Sequence, residues 1–252
     1  DTPQVRVCKM HEHTGAPQKN PTPSRDQTEI LQTALYNISE ASHLSDSLPN
    51  LYRRIHEIID GLLPAKNFYV ALLDESNQKI HFPYFEDEHD IPGPPMNLSD
   101  ASLTAEVVRN GKSLLLTLEE HKKRPDYEET LIGPESLDWL GVPLKAKDRV
   151  IGMLAVQSYS DQDVRYTEHH KNLLEFVSNQ IASSIERKQT EKQLQEQSRI
   201  QQALYSISEA NHTSTDLQDL FRRIHLIVSD LLPAQNFYVA LYHEDTQTLS
   251  FP

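Results

Sequence analysis

Apolar residues recur with helical spacing from Glu29 onward, at Ile30, Leu31, Ala34, Leu35 and Ile38, which puts them on one helix face. Ser45 to Ser47 offer an N-cap and Pro49 suits a first turn. A second helix is therefore predicted, with Leu51, Ile55, Ile58, Ile59 and Leu62 as its stripe and Pro64 as its end. The rhythm then changes. Asn67 to Asp74 (NFYVALLD) is rich in β-branched and aromatic residues and reads as a strand. Asp74 to Gln78 is the turn, and Lys79 to Phe85 returns as a hairpin.

Pro92, Pro94 and Pro95 impose a loop after Glu86-Asp87-Glu88-His89-Asp90. A short helix is predicted over Ala101 to Asn110, with Gly111 as its C′ residue. Ser113 to Thr117 reads as a short strand, and Glu119 to Glu129 as a charged, exposed stretch. Leu137 to Leu144 and Arg149 to Ser158 are two more strands. Gly152 inside the second signals a bulge or a close backbone approach. Tyr166 to about Ser208 contains no Gly or Pro and reads as one long helix. Its first half carries Leu173, Leu174, Val177, Ile181 and Ile185 on one face, whereas Glu186 to Arg199 is nearly all polar. That half lacks the apolar a and d positions of a coiled coil. Antiparallel hairpins flanked by helices at both ends predict an α+β layered domain.

The chain also repeats itself. Ala34 to Pro83 recurs as Ala203 to Pro252, 169 residues later without a gap, and 30 of 50 positions are identical. A period this long marks a tandem domain rather than a solenoid. The expected organisation is a tail or linker over 1–27, a complete domain over 28–185, a helical signalling linker over 186–200, and the N-terminal third of a second unit over 201–252. The strand Asn236 to Leu241 then lacks the rest of its sheet, and an isolated two-stranded hairpin is marginal. It is expected to be disordered, paired with another chain, or covered by residues 1–27.

Composition narrows the function classes. With 24 Lys+Arg against 37 Asp+Glu the formal charge is −13, which argues against nucleic acid and anionic lipid as partners. Cys8 is the single cysteine, so neither a disulfide framework nor a multi-thiolate metal site is expected. No apolar run approaches the roughly 18–20 residues of a membrane span, and Asp1 to Met10 shows no basic-then-apolar signal pattern. A cytoplasmic location without membrane insertion is expected. No P-loop, G-x-S-x-G or H-E-x-x-H is present, so no catalytic residue is assigned. His11, His13, His169 and His170 lack the i, i+4 spacing of paired metal ligands on a helix, and no metal site is assigned. Arg53, Arg54 and His56 recur in the second copy as Arg222, Arg223 and His225, and read as helix packing and ion pairing.

Four segments together resemble a GAF domain: Asn67 to Leu72 (NFYVAL), Pro83 to Asp90 (PYFEDEHD), Gly133 to Leu144 (GPESLDWLGVPL) and Ile151 to Tyr159 (IGMLAVQSY). They look most like those of bacterial multidomain sensor proteins of the sensor histidine kinase and diguanylate cyclase type. Ile185 to Glu191 (IERKQTE) is similar to the helical linker that follows PAS and GAF domains there. The resemblance covers about residues 30–190, and 200–252 as a truncated second copy. It implies a central antiparallel sheet with terminal helices on one face and a ligand pocket on the other. It also implies a homodimer through the terminal helices and an output domain in the same parent chain.

In that arrangement the candidate ligand-binding residues are Tyr69, Phe85, Trp139 and Gln157 on strands, Asp87 and His89 at the mouth, and Ser102 and Thr104 at the start of the short helix. Glu88-His89-Asp90 reads as a solvated acidic loop. The cofactor is left unknown. Three readings stand: a noncatalytic sensor of an unidentified small molecule, a dimerisation scaffold with a filled interior, and a cyclic-nucleotide or cofactor sensor. For the last, Arg109 is the phosphate candidate, but the Asn-Lys-Phe-Asp-Glu signature of cyclic-nucleotide GAF domains is missing and Cys8 lies outside the domain. An open cavity lined by Phe85, Trp139 and Gln157 favours the sensor over the scaffold.

Overall fold

A computed structural model describes residues 25–160, 162, 165–232 and 236–251. Two helices open it, α1 (Arg25–Leu44) and α2 (Leu48–Asp60). There follow β1 (Asn67–Asp74), β2 (Lys79–Glu86), β3 (Met96–Asn97), α3 (Leu103–Asn110) and β4 (Leu114–Thr117). Then come α4 (Leu118–Lys122), α5 (Tyr127–Thr130), β5 (Asp138–Ala146), β6 (Arg149–Ser158), α6 (Glu168–Thr213), α7 (Leu217–Leu231), β7 (Leu241–His243) and β8 (Thr248–Ser250). Strands β1 to β6 form one sheet in the order β3-β2-β1-β6-β5-β4, antiparallel at every step.

The central strands are apolar on both faces, and each face has its own cover. Phe68, Val70, Leu140, Val142, Leu154 and Val156 meet the apolar stripes of α1, α2 and α6. Tyr69, Ala71, Trp139, Met153 and Ala155 alternate with them and meet α3. Helices α1 and α6 approach closely through two serines. Ser42 Oγ donates to Ser184 O at 3.3 Å and Ser184 Oγ to Ile38 O at 3.2 Å.

Most predicted elements form within a few residues of their expected ends. Helix α1 already begins at Arg25, inside the stretch read as tail, and residues 1–24 lie outside the described residues. Gly152 is a close approach, since a side chain there would collide with the carbonyl oxygen of Ala71 on β1. The exposed reading of 119–129 holds for most of its charged residues, with His121 as the exception. That segment belongs to α4 and α5, and His121 and Thr130 turn inward and are buried. Strand β3 has no sequence signal, being two residues held against Lys79 and Ile80.

The second copy repeats local geometry and departs in its burial. His225 stacks on Phe237 at 5.0 Å and 6°, as His56 stacks on Phe68 at 4.7 Å and 10°. Leu241↔Ser250, Tyr242↔Leu249 and His243↔Thr248 repeat the register of Leu72↔His81, Leu73↔Ile80 and Asp74↔Lys79. Among the described residues this hairpin is a two-stranded sheet with Tyr242 and Leu249 exposed, so of the three expected outcomes disorder does not apply. Its first strand has three residues where β1 has eight, because among the described residues nothing takes the place of β6 beside 236–240. Of the segment expected to cover it, residues 1–27, residues 1–24 lie outside the described residues, and pairing with another chain remains an expectation.

Candidate functional site

The sheet face opposite α1 and α6 carries a cavity of about 220 Å³, below the roughly 300–1,000 Å³ of pockets for drug-sized ligands. Of the predicted residues, Tyr69, Phe85, Ser102, Thr104, Trp139 and Gln157 line it. Asp87 and His89 do not. The Asp87 carboxylate instead ties the rim together, accepting from the backbone N–H groups of His89 and Asp90 at 2.8 and 3.0 Å and from Tyr159 Oη at 3.0 Å. His89 packs edge-on against Tyr159. Sequence reasoning missed Phe82, Asp90, Met96, His121 and Thr130, which also line the cavity.

Phe82 and Phe85 differ in parity along β2, so a regular strand would send them to opposite faces. The β1–β2 register slips between Val70↔Tyr84 and Leu72↔His81. The slip falls beside Pro83, which cannot donate to the ladder. The extra residue resets the parity, and both rings reach the cavity side. There Tyr69 stacks on Phe85 at 5.3 Å and meets Phe82 edge-on at 5.9 Å. Gly141 leaves the space that the Trp139 ring occupies. Two residues on and on the same face, it has no side chain, and an added Cβ would lie 2.6 Å from Trp139 Cζ3 and from Met153 Cε.

A buried hydrogen-bond chain fixes the wall. Trp139 Nε1 donates to Tyr69 Oη at 3.2 Å, and Tyr69 Oη meets Thr104 Oγ1 at 2.9 Å. The indole donates to the phenol oxygen, and the Tyr69 and Thr104 hydroxyls share a hydrogen bond in which either can be the donor. Burial pushes the Tyr69 hydroxyl up to about 12, helped by the charges of Asp90 and Asp87, so it stays neutral. Ser102 caps α3, its Oγ accepting from Ala105 N at 2.9 Å. Arg109 does not face the cavity. Its Nη1 donates to Leu98 O and Asp100 O at 2.7 and 2.9 Å.

Residues 118–136 roof the cavity. Thr117 and Glu120 form a capping box that starts α4. Arg124 reaches Glu106 of α3 at 2.6 Å and Asp126 at 2.9 Å, clasping the roof to the helix beneath. Thr130 Oγ1 donates to Asp126 O at 2.8 Å, so it accepts from His121 Nε2 at 2.9 Å.

The sequence model of the GAF domain family matches residues 45–186, more than half of the 252. The chain belongs to the GAF domain family. GAF domains are sensory regulatory domains found in signalling proteins. Three solved structures share the fold. The GAF domain of an Acinetobacter phosphoenolpyruvate-protein phosphotransferase superposes with a TM-score of 0.52 at 20% identity, over 65% of this chain and 98% of its own. A free methionine-R-sulfoxide reductase from Neisseria meningitidis gives 0.52 at 12%, over 67% and 95%. A bacteriophytochrome from R. palustris gives 0.54 at 10%, over 89% and 50%. No curated protein matches the chain in sequence.

In this GAF domain the remaining candidates fall away from the cavity. His170 serves the start of α6, its Nδ1 accepting from Thr167 N at 3.2 Å. Arg53 and Arg54 are exposed on either side of buried Ile55. Cys8, His11 and His13 lie outside the described residues. Among the described residues no three His, Cys, Asp or Glu side chains gather to hold a metal ion. None of the helices described is long and apolar enough to cross a membrane.

The roof histidine gives this GAF domain a pH signature. Burial, then the nearby Arg124, lowers the His121 pKa below its usual value. Above about pH 6.5 both folded and unfolded chains hold this ring neutral, and it costs nothing. As pH falls below that point the unfolded chain takes up a proton that the fold resists, and stability drops. Urea denaturation at pH 7, 6 and 5 therefore shows a decline that is shallower in His121→Gln. Part of the decline persists, because His170 is shifted in the same direction. Identical declines in both proteins would show that His121 is not the source.

Proposed function

We propose that this GAF domain is a noncatalytic sensor, binding a small molecule in the cavity under α3 and relaying the result through its terminal helices. The cavity itself carries the reading. An empty space walled by Tyr69, Phe85, Trp139 and Gln157, with inward polar groups from Ser102 and Thr104, is what a sensor needs and a packed scaffold lacks. Neighbouring strand residues serve both faces. Tyr69 faces the cavity while Phe68 and Val70 face the helices, and Trp139 alternates with Leu140 in the same way. A ligand that repositions these strands shifts the seat of α1 and α6. Helix α6 then runs unbroken to Thr213, with every residue from Glu191 to Ile200 exposed. It is suited to carry that shift to a further unit such as a histidine kinase or diguanylate cyclase. Phe176, Leu194, Ile200, Leu204 and Tyr205 are exposed along it and are the contacts proposed for a parallel homodimer. Cyclic nucleotides suit the cavity less well, since Arg109 is turned away from it.

The single tryptophan lines the cavity, so binding has a built-in reporter. Small molecules released from the purified chain are identified by mass spectrometry and added back to the stripped protein. The true ligand changes Trp139 fluorescence saturably and, at a hundred times its Kd, stabilises the fold by about 2.7 kcal/mol. Phe85→Ala weakens both effects. A stripped protein whose fluorescence and melting respond to no released compound, nor to a broad metabolite panel, would leave the scaffold reading in its place.

A further inference from the structure

The cavity's chemistry has a sign. Four aromatic rings, those of Tyr69, Phe82, Phe85 and Trp139, contribute to its wall, together with the thioether of Met96. The negative faces of such rings attract a cation within about 6 Å. Among the described residues that line it, Asp90 is the only carboxylate and none is Lys or Arg. His121, the remaining ionisable base, is held neutral by burial and Arg124.

Asp90 is fixed by contacts within and beside its loop. Its Oδ1 accepts from Ile91 N at 2.8 Å, and its Oδ2 lies against Gly133, where no side chain intervenes. Among the described residues no Lys, Arg or His forms an ion pair with Asp90 or with Asp87 behind it. The opposing contribution is the N-terminus of α3, worth about half a positive charge, which is less than one carboxylate. Burial raises the Tyr69 hydroxyl most, and the charges of Asp90 and Asp87 act in the same direction. A wall built this way repels anions and welcomes a compact positive group that sheds its water against the rings.

We infer that the ligand of this cavity is a small organic monocation, an amine or quaternary ammonium with a compact apolar body, seated on the aromatic wall and facing Asp90. The inference rests on the cavity being the sensor's ligand site and adds the chemical class.

A matched pair of probes tests it, choline and its neutral isostere 3,3-dimethylbutan-1-ol, each titrated against the Trp139 fluorescence of the full chain. Choline binds saturably, and about tenfold more tightly than the isostere. Raising the salt concentration weakens choline and leaves the isostere unchanged. Asp90→Asn reduces the ratio between the two, as does Phe85→Leu, with circular dichroism confirming the fold. The wild-type ratio and its salt dependence decide the matter without any variant. An isostere that binds as tightly as choline overturns the charge preference while keeping a small-molecule site. Tighter binding of acetate or phosphate overturns it in the same way. No response to any of these probes overturns the inference, while the sensory reading still stands or falls by the compounds released from the purified protein.

Discussion

Arg165→Leu destabilises the domain by about 3 kcal/mol, the lower end of the cost of orphaning a buried charge. Asp138 opens β5 and is only 1% exposed. Its carboxylate accepts from Arg165 Nε at 2.7 Å, Arg165 Nη2 at 2.8 Å and Tyr166 N at 3.0 Å. The neighbouring Tyr166 Oη donates to Pro64 O at 2.8 Å. This cluster ties the entry into α6 to the sheet and to the segment before β1. Removing the guanidinium leaves a charge among apolar neighbours with one backbone N–H for company. The cost stays at the low end because Arg165 is half exposed and water reaches its side of the pair. Asp138→Asn on the Arg165→Leu background recovers part of the loss, since a neutral amide there costs less to bury. Urea denaturation of the wild type, both single variants and the double variant measures the cycle. A loss below about 1 kcal/mol for Arg165→Leu, the range of a surface pair, would mean that the cluster is not an anchor.

Gly152→Ala costs a comparable amount, about 3 kcal/mol, the upper end of ordinary overpacking. The new methyl meets the Ala71 carbonyl oxygen, and it lies 2.9 Å from both Leu72 Cα and Leu72 Cδ2. Two of these three atoms are backbone, so no rotamer change relieves the clash. Strand β1 must withdraw from β6 at the centre of the sheet, where Leu72 pairs with Gly152 and Ala71 with Met153. The cavity floor shares those strands, so ligand affinity falls along with stability. Gly61→Ala is the control. Its φ of −74° suits any residue, and an added Cβ meets nothing closer than 3.4 Å. That variant is expected to be neutral or slightly stabilising, because alanine loses less chain entropy on folding. Equal melting curves for Gly152→Ala and wild type would refute the close-approach account.

How far the sequence could be read depends on periodicity. Strands β1, β5 and β6 are long apolar runs, and α3 has both of its ends written in its residues, Ser102 as cap and Gly111 at φ +58°. Tyr69, Trp139 and Gln157 were legible as cavity residues through the resemblance to GAF domains, since alternation alone only divides a strand's side chains between two faces. Phe82 was not, because alternation fails across the irregularity at Pro83. Asp90, Met96, His121 and Thr130 sit in loops or in very short elements, which have no period to say which side chain turns inward. Asp87, named from the sequence, ties the rim, and Asp90 lines the cavity. A three-residue displacement along an irregular loop decides which carboxylate faces the cavity and which becomes a hydrogen-bond hub for the rim.

The duplicated segment separates the two kinds of information within one chain. Asn67 to Leu72 and Asn236 to Leu241 have the same six residues, NFYVAL. The first is strand throughout, whereas in the second only Leu241 is. What the residues themselves determine recurs in both copies: the amphipathic helix before the segment, the stack of histidine on phenylalanine, and the turn with its register. Those features depend on neighbours close along the chain. The length of the strand, the burial of the helix and the existence of a cavity do not. Helix α2 buries Leu51, Tyr52, Ile55 and Ile59, while α7, with a closely similar stripe, buries none of its side chains. In the first copy β6 satisfies the backbone of β1, and α6 covers the apolar face beyond it. Among the described residues the second copy has no counterpart of either. Backbone hydrogen bonds and apolar burial need a partner surface, and that surface comes from residues more than eighty positions away.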